Sequence, residues 1–365
     1  TKNFFTIMVL YDSIQNKSQK GFVMSIKEYF KFEERKTSYF TETLAGFTTF
    51  LTMAYIIILN PSVLSQTGMD FNGVFFATII ATIIGCLFMG IFANYPIAIA
   101  PGLAMNAYFS FVVVISMGIP WQEALGAVFI SALIFLILSL TSFRQAVINA
   151  IPASMKEGIS AGIGLFIAFI GLQGAHIIVN DDSTLLTYCK FADNWHTQGI
   201  CAVLALIGLF ITVILYIKGF KGSILIGIIA TWILGMICQA AGVYHIDAKA
   251  GFYSLYPTMH MTDFSKITTT FGQCFTADFK GVGVFNFIVV LCSFLFVDMF
   301  DTIGTLVGVS SKAGMLDENE KLPNIKPALL ADAIATSAGA IIGTSTTTTY
   351  VESSAGVGAG ARTGL

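Results

Sequence analysis

Three carboxylates stand inside long apolar runs of this chain. Asp298 and Asp301 lie in "FVDMFDTIGTL" (296–306), and Glu352 lies in "TSTTTTYVESSAGVGAG" (344–360). A charge at mid-bilayer depth costs from about 2.5 kcal/mol upward, so acids placed there point to a function. Asp298 and Asp301 are three residues apart and share one helix face. Glu352 sits where a threonine run gives way to a glycine-rich helix, flanked by Val351 and Ser353. The free N–H groups of such a helix start can hold an anion or the oxygens of a polar solute. No Lys or Arg occurs at matching depth in the apolar runs, so an internal ion pair lacks a partner there. The remaining uses are relay of a proton or cation, and acceptance of hydrogen bonds from a substrate's N–H groups. A carboxylate withdrawn from water favours its neutral form, which suits proton symport.

These acids need a membrane-embedded scaffold, and the composition supplies one. The 365 residues are 55% hydrophobic and only 11% charged, with a mean hydropathy of +0.79. An ordinary soluble domain carries about 25% charge. The lipid bilayer is therefore the first partner. The net charge of -2 and the lack of a basic stripe argue against nucleic acid. Six scattered cysteines and four histidines show no ligand spacing, so neither a metal nor a cofactor is expected; a disulfide between Cys189 and Cys274 in outer loops is the one alternative for the thiols.

A spanning helix needs about 20 apolar residues, and the sequence predicts ten spans, near 42–60, 73–93, 97–116, 122–142, 158–179, 198–217, 222–243, 284–309, 328–343 and 346–361. Arg144, Lys156, Lys218, Lys221, Lys312, Lys321 and Lys326 then fall in loops on one side, which favours a cytoplasmic N-terminus in a plasma membrane. The opening residues 1–23 look non-native, with Met24 as the expected start. Residues 1–40 read as a cytoplasmic segment, 41–243 as a first seven-span unit, 244–283 as an outer loop and 284–365 as the start of a second unit. Asp332 is expected to face water near the inner surface, and Glu42, Glu123 and Glu157 to be solvated or capping at span ends.

The two units carry a repeat. "ATIIATIIG" (77–85) and "ADAIATSAG" (331–339) match at an offset of 254, and the same offset without a gap lays "APGLAMN" (100–106) over "SAGVGAG" (354–360). Seven spans per copy is an odd number, so the copies would be inverted in the membrane, as in many secondary transporters. Two matched segments are poor helices. "NYPIAIAPGLAMNAYF" (94–109) carries two prolines, and 343–364 opens with β-branched threonines. Each reads as an extended half followed by a helical half, tolerable at depth only where it is buried or lines a cavity. Asn106, in the first half-helix, either faces that site or makes an interhelical hydrogen bond. Four further spans would complete the second copy. An intramembrane aspartyl protease is disfavoured, because its two acids belong on facing helices and no G-x-G-D stretch occurs.

The segments "TETLAGFTTFLTMAYIIILNPSVLS" (41–65), "IAPGLAMNAYF" (99–109), "IPASMKEGISAGIGLFIAFIGLQGA" (151–175), "FVDMFDTIGTLVGVS" (296–310) and "TSTTTTYVESSAGVGAGARTGL" (344–365) together resemble the nucleobase:cation symporter-2 family, in its guanine/hypoxanthine/adenine permease branch. The resemblance implies an all-α polytopic membrane protein of fourteen spans in two inverted repeats of seven, with short strands in the third and tenth spans and a purine nucleobase held between them. It implies that Asp298 and Glu352 contact the substrate, that Asp301 is a second acid affecting transport and that Asn106 is the polar residue of the third span. Tyr350 and Phe109 are candidates to stack on the base. Coupling to H⁺ or Na⁺, the preferred purine, a uracil or xanthine cargo in the same fold, and a homodimer are left open.

Overall fold

The computed structural model describes residues 25–141, 171–181, 184–192, 194–220, 223–247, 251–257, 263–279, 282–316, 322–323 and 325–365, with isolated positions between 158 and 170. The expected start at Met24, seven residues of the expected span 158–179, Glu157 and the loop cations Arg144, Lys156, Lys221 and Lys321 lie outside the described residues.

Local chemistry sets where the helices begin. Helix α1 (Tyr39–Met53) starts at Ser38, whose side chain accepts the Thr41 N–H at 3.2 Å. After a short break α2 (Ile56–Leu64) follows, and α3 (Phe71–Phe88) starts at Asp70, which accepts from the Gly73 N–H at 2.8 Å. Such caps satisfy amides that have no partner within the helix. The buried Thr48, Thr49 and Thr52 of α1 bond back to carbonyls three or four residues earlier, at 2.8, 3.3 and 2.8 Å, so their hydroxyls are satisfied in an apolar interior.

Beyond α3 the chain makes a wider turn, reverses at Asn94 with φ 54°, and runs into strand β1 (Ile99–Pro101). Helix α4 (Leu103–Ala107) continues in wider turns to Ser116, and α5 (Trp121–Leu140) follows. A surface hairpin of β2 (Ile178–Asp181) and β3 (Leu185–Tyr188) precedes the paired helices α6 (Ile200–Ile217) and α7 (Ser223–Ala240). Helix α8 (Val284–Lys312) is the longest; its 29 residues extend roughly 43 Å at 1.5 Å each. That exceeds a hydrocarbon core of about 30 Å, so it must tilt or project. The chain closes with α9 (Ile325–Ile342), strand β4 (Thr347–Thr349) and the short α10 (Ser353–Ala359).

The strands pair with each other across the sequence. β1 and β4 are antiparallel, with Ile99 opposite Thr349, Ala100 opposite Thr348 and Pro101 opposite Thr347. The Gly102 N–H donates to the Thr346 carbonyl and the Tyr350 N–H to the Ala98 carbonyl, each at 2.9 Å, which closes the ladder at both ends. All six strand residues are buried. Around them α9 packs on α3 and α5, α8 on α5 and β4, and α10 on α1.

Several expectations change. Among the described residues six helices, counting α1 with α2 as one, are long and apolar enough to cross a bilayer. The third and tenth spans are, as expected, each an extended half followed by a helical half, a strand and then a helix of less than spanning length, because their prolines and threonines favour extended backbone. The offset of 254 holds for helices α3 and α9, which begin at 71 and 325 and end at 88 and 342. It does not extend without a gap: β1 and β4 begin at 99 and 347, an offset of 248. Ten residues, 89–98, link α3 to its strand, whereas four, 343–346, link α9 to its own. The segment 244–283 is also more than a loop. Thr270 is fully buried and donates to the Ile342 carbonyl at 3.1 Å, and the Gly272 N–H donates to the Ile341 carbonyl at 2.6 Å, so it caps the end of α9. All six cysteines are free thiols, Cys189 and Cys274 included.

Two glycines in α10 test this packing. A Cβ at Gly356 would lie 2.7 Å from the Ala45 carbonyl oxygen of α1, and closer still to Thr49 Oγ1, whereas at Gly358 nothing lies within 4 Å. Gly356→Ala is therefore expected to cost about 1–3 kcal/mol, and Gly358→Ala to stabilise the helix by up to about 1 kcal/mol. Melting temperatures of the two variants in detergent should shift in opposite directions; a shared direction would contradict the close approach of α10 to α1.

Candidate substrate site

Two broken segments that meet in a bilayer leave space at the ends of their half-helices. Here that space is a cavity of about 620 Å³, within the usual range of ligand pockets, about 300–1,000 Å³. One wall is α8, through Phe300, Asp301, Gly304 and Thr305; the opposite wall is β4 and the start of α10, through Thr348, Thr349, Tyr350, Val351 and Glu352. The first turn of α4, Gly102 to Ala104, and Tyr55 from the break between α1 and α2 complete it.

The cavity brings together Asp301, Glu352 and Val351, three of the residues singled out in the sequence. Glu352 is held by the Tyr55 hydroxyl, which donates to its Oε1 at 2.5 Å. Asp301 and Thr348 line the same cavity. Thr348 in turn lies 3.2 Å from the Thr302 hydroxyl, and Thr302 donates to Asp332 Oδ2 at 2.7 Å. A polar line thus leads from the cavity wall across α8 to α9. Asp332 is fully buried and does not face water as expected, because α9 turns this residue toward α8 and β4. Glu42 is likewise buried, and accepts from the Thr37 hydroxyl at 2.6 Å and from the backbone amides of Arg362 and Thr363 at 3.0 and 3.2 Å. It caps the last residues instead of meeting solvent.

The other candidates, Tyr350 excepted, lie behind the wall. Asp298 is buried, at 3% exposure, and is not among the residues that line the cavity. Asn106 is fully buried and donates to Asn60 Oδ1 at 2.5 Å; Asn60 in turn donates to Thr78 and Thr344 at 2.6 and 2.9 Å. This network ties α2, α3, α4 and the approach to β4 together, which is the interhelical role weighed for Asn106. Ser353 Oγ accepts the Ala98 N–H at 3.0 Å and so satisfies a backbone donor beside β1. Tyr350 lines the cavity while its hydroxyl donates to the Pro101 carbonyl at 2.5 Å. Phe109 is buried against Phe294, away from the cavity.

Tyr55, Thr348 and Thr302 were not singled out from the sequence. Tyr55 belongs to an apolar stretch where aromatic residues usually pack, and Thr348 is one of four consecutive threonines. Side-chain alternation along a strand would have split that run into two faces; which face meets the acids depends on the pairing with β1. Among the described residues no group of three or more His, Cys, Asp or Glu could hold a metal ion.

Comparison with known proteins places this architecture. The fold is similar to the transmembrane domain of a cyanobacterium bicarbonate transporter, BicA, with a TM-score of 0.58 over 89% of this chain and 77% of that one at 14% identity. The chain is 46% identical to the guanine/hypoxanthine permease PbuO of Bacillus subtilis, over 92% of this chain and 74% of that protein. It is 39% identical to the adenine permease AdeP of Escherichia coli, over 97% and 74%. Residues 40–364 match the Permease family. With broken helices paired at membrane depth, two carboxylates on one cavity and relatives that are permeases, the chain belongs to the Permease family of nucleobase:cation symporter-2 proteins, and is a membrane transporter and not an enzyme.

Proposed function

We propose that this permease imports a purine nucleobase, hypoxanthine, guanine or adenine, in symport with a cation, with H⁺ favoured over Na⁺. The observation that carries the reading is the placement of Asp301 and Glu352 on facing walls of one cavity, beside the start of α4. A purine presents ring N–H donors and ring acceptors along one planar edge. Carboxylates accept from the donors, and the free amides of a helix start give to the acceptors. A buried set of this kind discriminates strongly, because a wrong ligand leaves polar groups unpaired. That the relatives are guanine/hypoxanthine and adenine permeases supports one of these three purines over xanthine or a pyrimidine.

In this reading Asp301 and Glu352 bind the base, and the helix-start residue Val351 helps to shape the site. Asp298, one turn earlier on α8 and inside the bundle, serves the coupling cation together with them. Asn106 and Ser353 hold the two half-helices at their crossing. The same reading keeps the inverted seven-plus-seven repeat, supported by the equal length and constant offset of α3 and α9 and by the strand before each half-helix. It also keeps a cytoplasmic N-terminus in the plasma membrane.

Uptake of labelled hypoxanthine, guanine and adenine by cells expressing the protein tests this directly. Accumulation should collapse with a protonophore, and Asp301→Asn and Glu352→Gln should reduce it to background at normal membrane expression. Asp298→Asn should abolish accumulation while sparing exchange of base across the membrane. Full accumulation by either of the first two variants would remove the proposed site.

Tyr55→Phe isolates one hydrogen bond. It should raise KM by about five- to twelvefold, the equivalent of about 1–1.5 kcal/mol for a single net hydrogen bond. Unlabelled hypoxanthine, guanine and adenine should compete with the labelled base, whereas uracil and xanthine should not. Competition by uracil equal to that by hypoxanthine would replace the purine reading with a pyrimidine one.

A further inference from the structure

A second cavity, of about 420 Å³, lies at one end of the helices and is lined by Lys31, Arg35, Lys36, Arg362 and Tyr95, with Glu34 as the one carboxylate in its wall. Lys31 pairs with Glu34 at 3.1 Å on the surface. Arg35, Lys36 and Arg362 make no ion pair among the described residues. Burial lowers the pKa of Arg35 from its ordinary value, yet a guanidinium keeps its proton.

The two arginines are held by carbonyls, which orient them without neutralising them. Arg35 Nη1 donates to the carbonyls of Asn94 and Arg362 at 2.7 and 2.6 Å. Arg362 Nη1 donates to those of Val357 and Ala361 at 3.0 and 2.6 Å. Each guanidinium has five N–H donors, so further donors remain on both. The nearby Glu42 takes its hydrogen bonds from Thr37 and from the backbone of Arg362 and Thr363, and does not line the cavity.

The backbone around this cavity is strained. Lys31, Lys36 and Asn94 adopt φ of 57, 50 and 54°, in the left-handed region. Asparagine tolerates that region, but at the two lysine positions glycine would be the unstrained residue. Strain of this kind gathers at ligand clamps, where the side chain is worth its backbone cost. Tyr29 and Tyr39, close in sequence to the cavity residues, are each 41% exposed, and Lys27 lies over the Tyr39 ring at 5.5 Å. Exposed aromatics beside cations mark the level of a bilayer interface.

We infer that this cavity binds a phosphate group, carried by an anionic lipid headgroup or free in solution, and that the bound phosphate joins residues 31–36 to the end of α10. Its positive charge, preset guanidinium donors and interfacial position match that chemistry, since arginine recognises phosphate through paired N–H donors.

Purified protein in detergent would be titrated with short-chain phosphatidylglycerol, the matching phosphatidylcholine and inorganic phosphate, with binding read by native mass spectrometry and melting temperature. Phosphatidylglycerol is expected to bind at least about tenfold more tightly than phosphatidylcholine, and the exposed pair Lys31→Gln with Lys36→Gln to weaken it about thirtyfold, the usual worth of two lysines at an anionic surface. The unliganded melting temperature of that double variant should be unchanged; if it falls, Lys36→Gln alone serves with the same expected direction. Tight binding of inorganic phosphate, lost in the variant, would identify a soluble phosphate as the source. Equal binding of both lipids without phosphate binding, or wild-type affinity in the lysine variants, would overturn the inference.

Discussion

Peptide groups that leave a helix inside a bilayer must find partners in the protein, because lipid offers none and each unpaired group costs several kcal/mol. This chain leaves its helices at two such places, before α4 and before α10, and the two breaks satisfy each other through the antiparallel pairing of Ile99–Pro101 with Thr347–Thr349. The helical halves that follow begin side by side as a consequence. The Thr346 and Ala98 carbonyls at the ladder ends accept the amides that would otherwise be orphaned. A substrate site built from half-helix starts depends on this short ladder.

The threonine run serves the ladder twice. Its β-branched residues favour extended backbone, and its hydroxyls fasten the strand to its neighbours. Thr349 donates to the Thr302 carbonyl of α8 at 3.1 Å, and Thr336 of α9 donates to the Thr347 carbonyl at 3.0 Å. Thr348 lies on the cavity wall beside Asp301. A run of valines would form the strand equally well but would lose the side-chain bonds of Thr347 to Thr336 and of Thr349 to α8. The acids therefore stand against a backbone fixed from both sides, which is what a carboxylate needs if it is to discriminate between planar heterocycles.

Much of this was readable in advance, and the reasons differ from element to element. The poor helical character of 94–109 and 344–352 follows from local chemistry, since proline and consecutive β-branched residues act on the backbone wherever they stand. The apolar lengths of α1 to α3, α5, α6 and α8 follow from hydropathy. The gap in the repeat was not readable, because the link between helix and strand is ten residues long in one copy and four in the other, and side-chain similarity carried past it. Nor was the burial of Asp332 and Glu42: a carboxylate near a span end meets water or protein according to what packs beside it. For Asp332 that is Thr302 of α8, and for Glu42 it is the chain at 362–363.

By itself the sequence determined that the chain is a membrane protein, that two of its spans are partly extended and that acids are placed at depth, because hydropathy, backbone preference and charge are properties of residues in their own segment. Tertiary structure decided which acid faces the cavity. Asp301 and Asp298 share a helix and differ by one turn, yet the first lines the space with Glu352 while the second is enclosed in the bundle. It also brought Tyr55 to Glu352 across 297 residues. Contacts of that range are set by the packing of whole helices around a shared strand pair, and no local pattern encodes them.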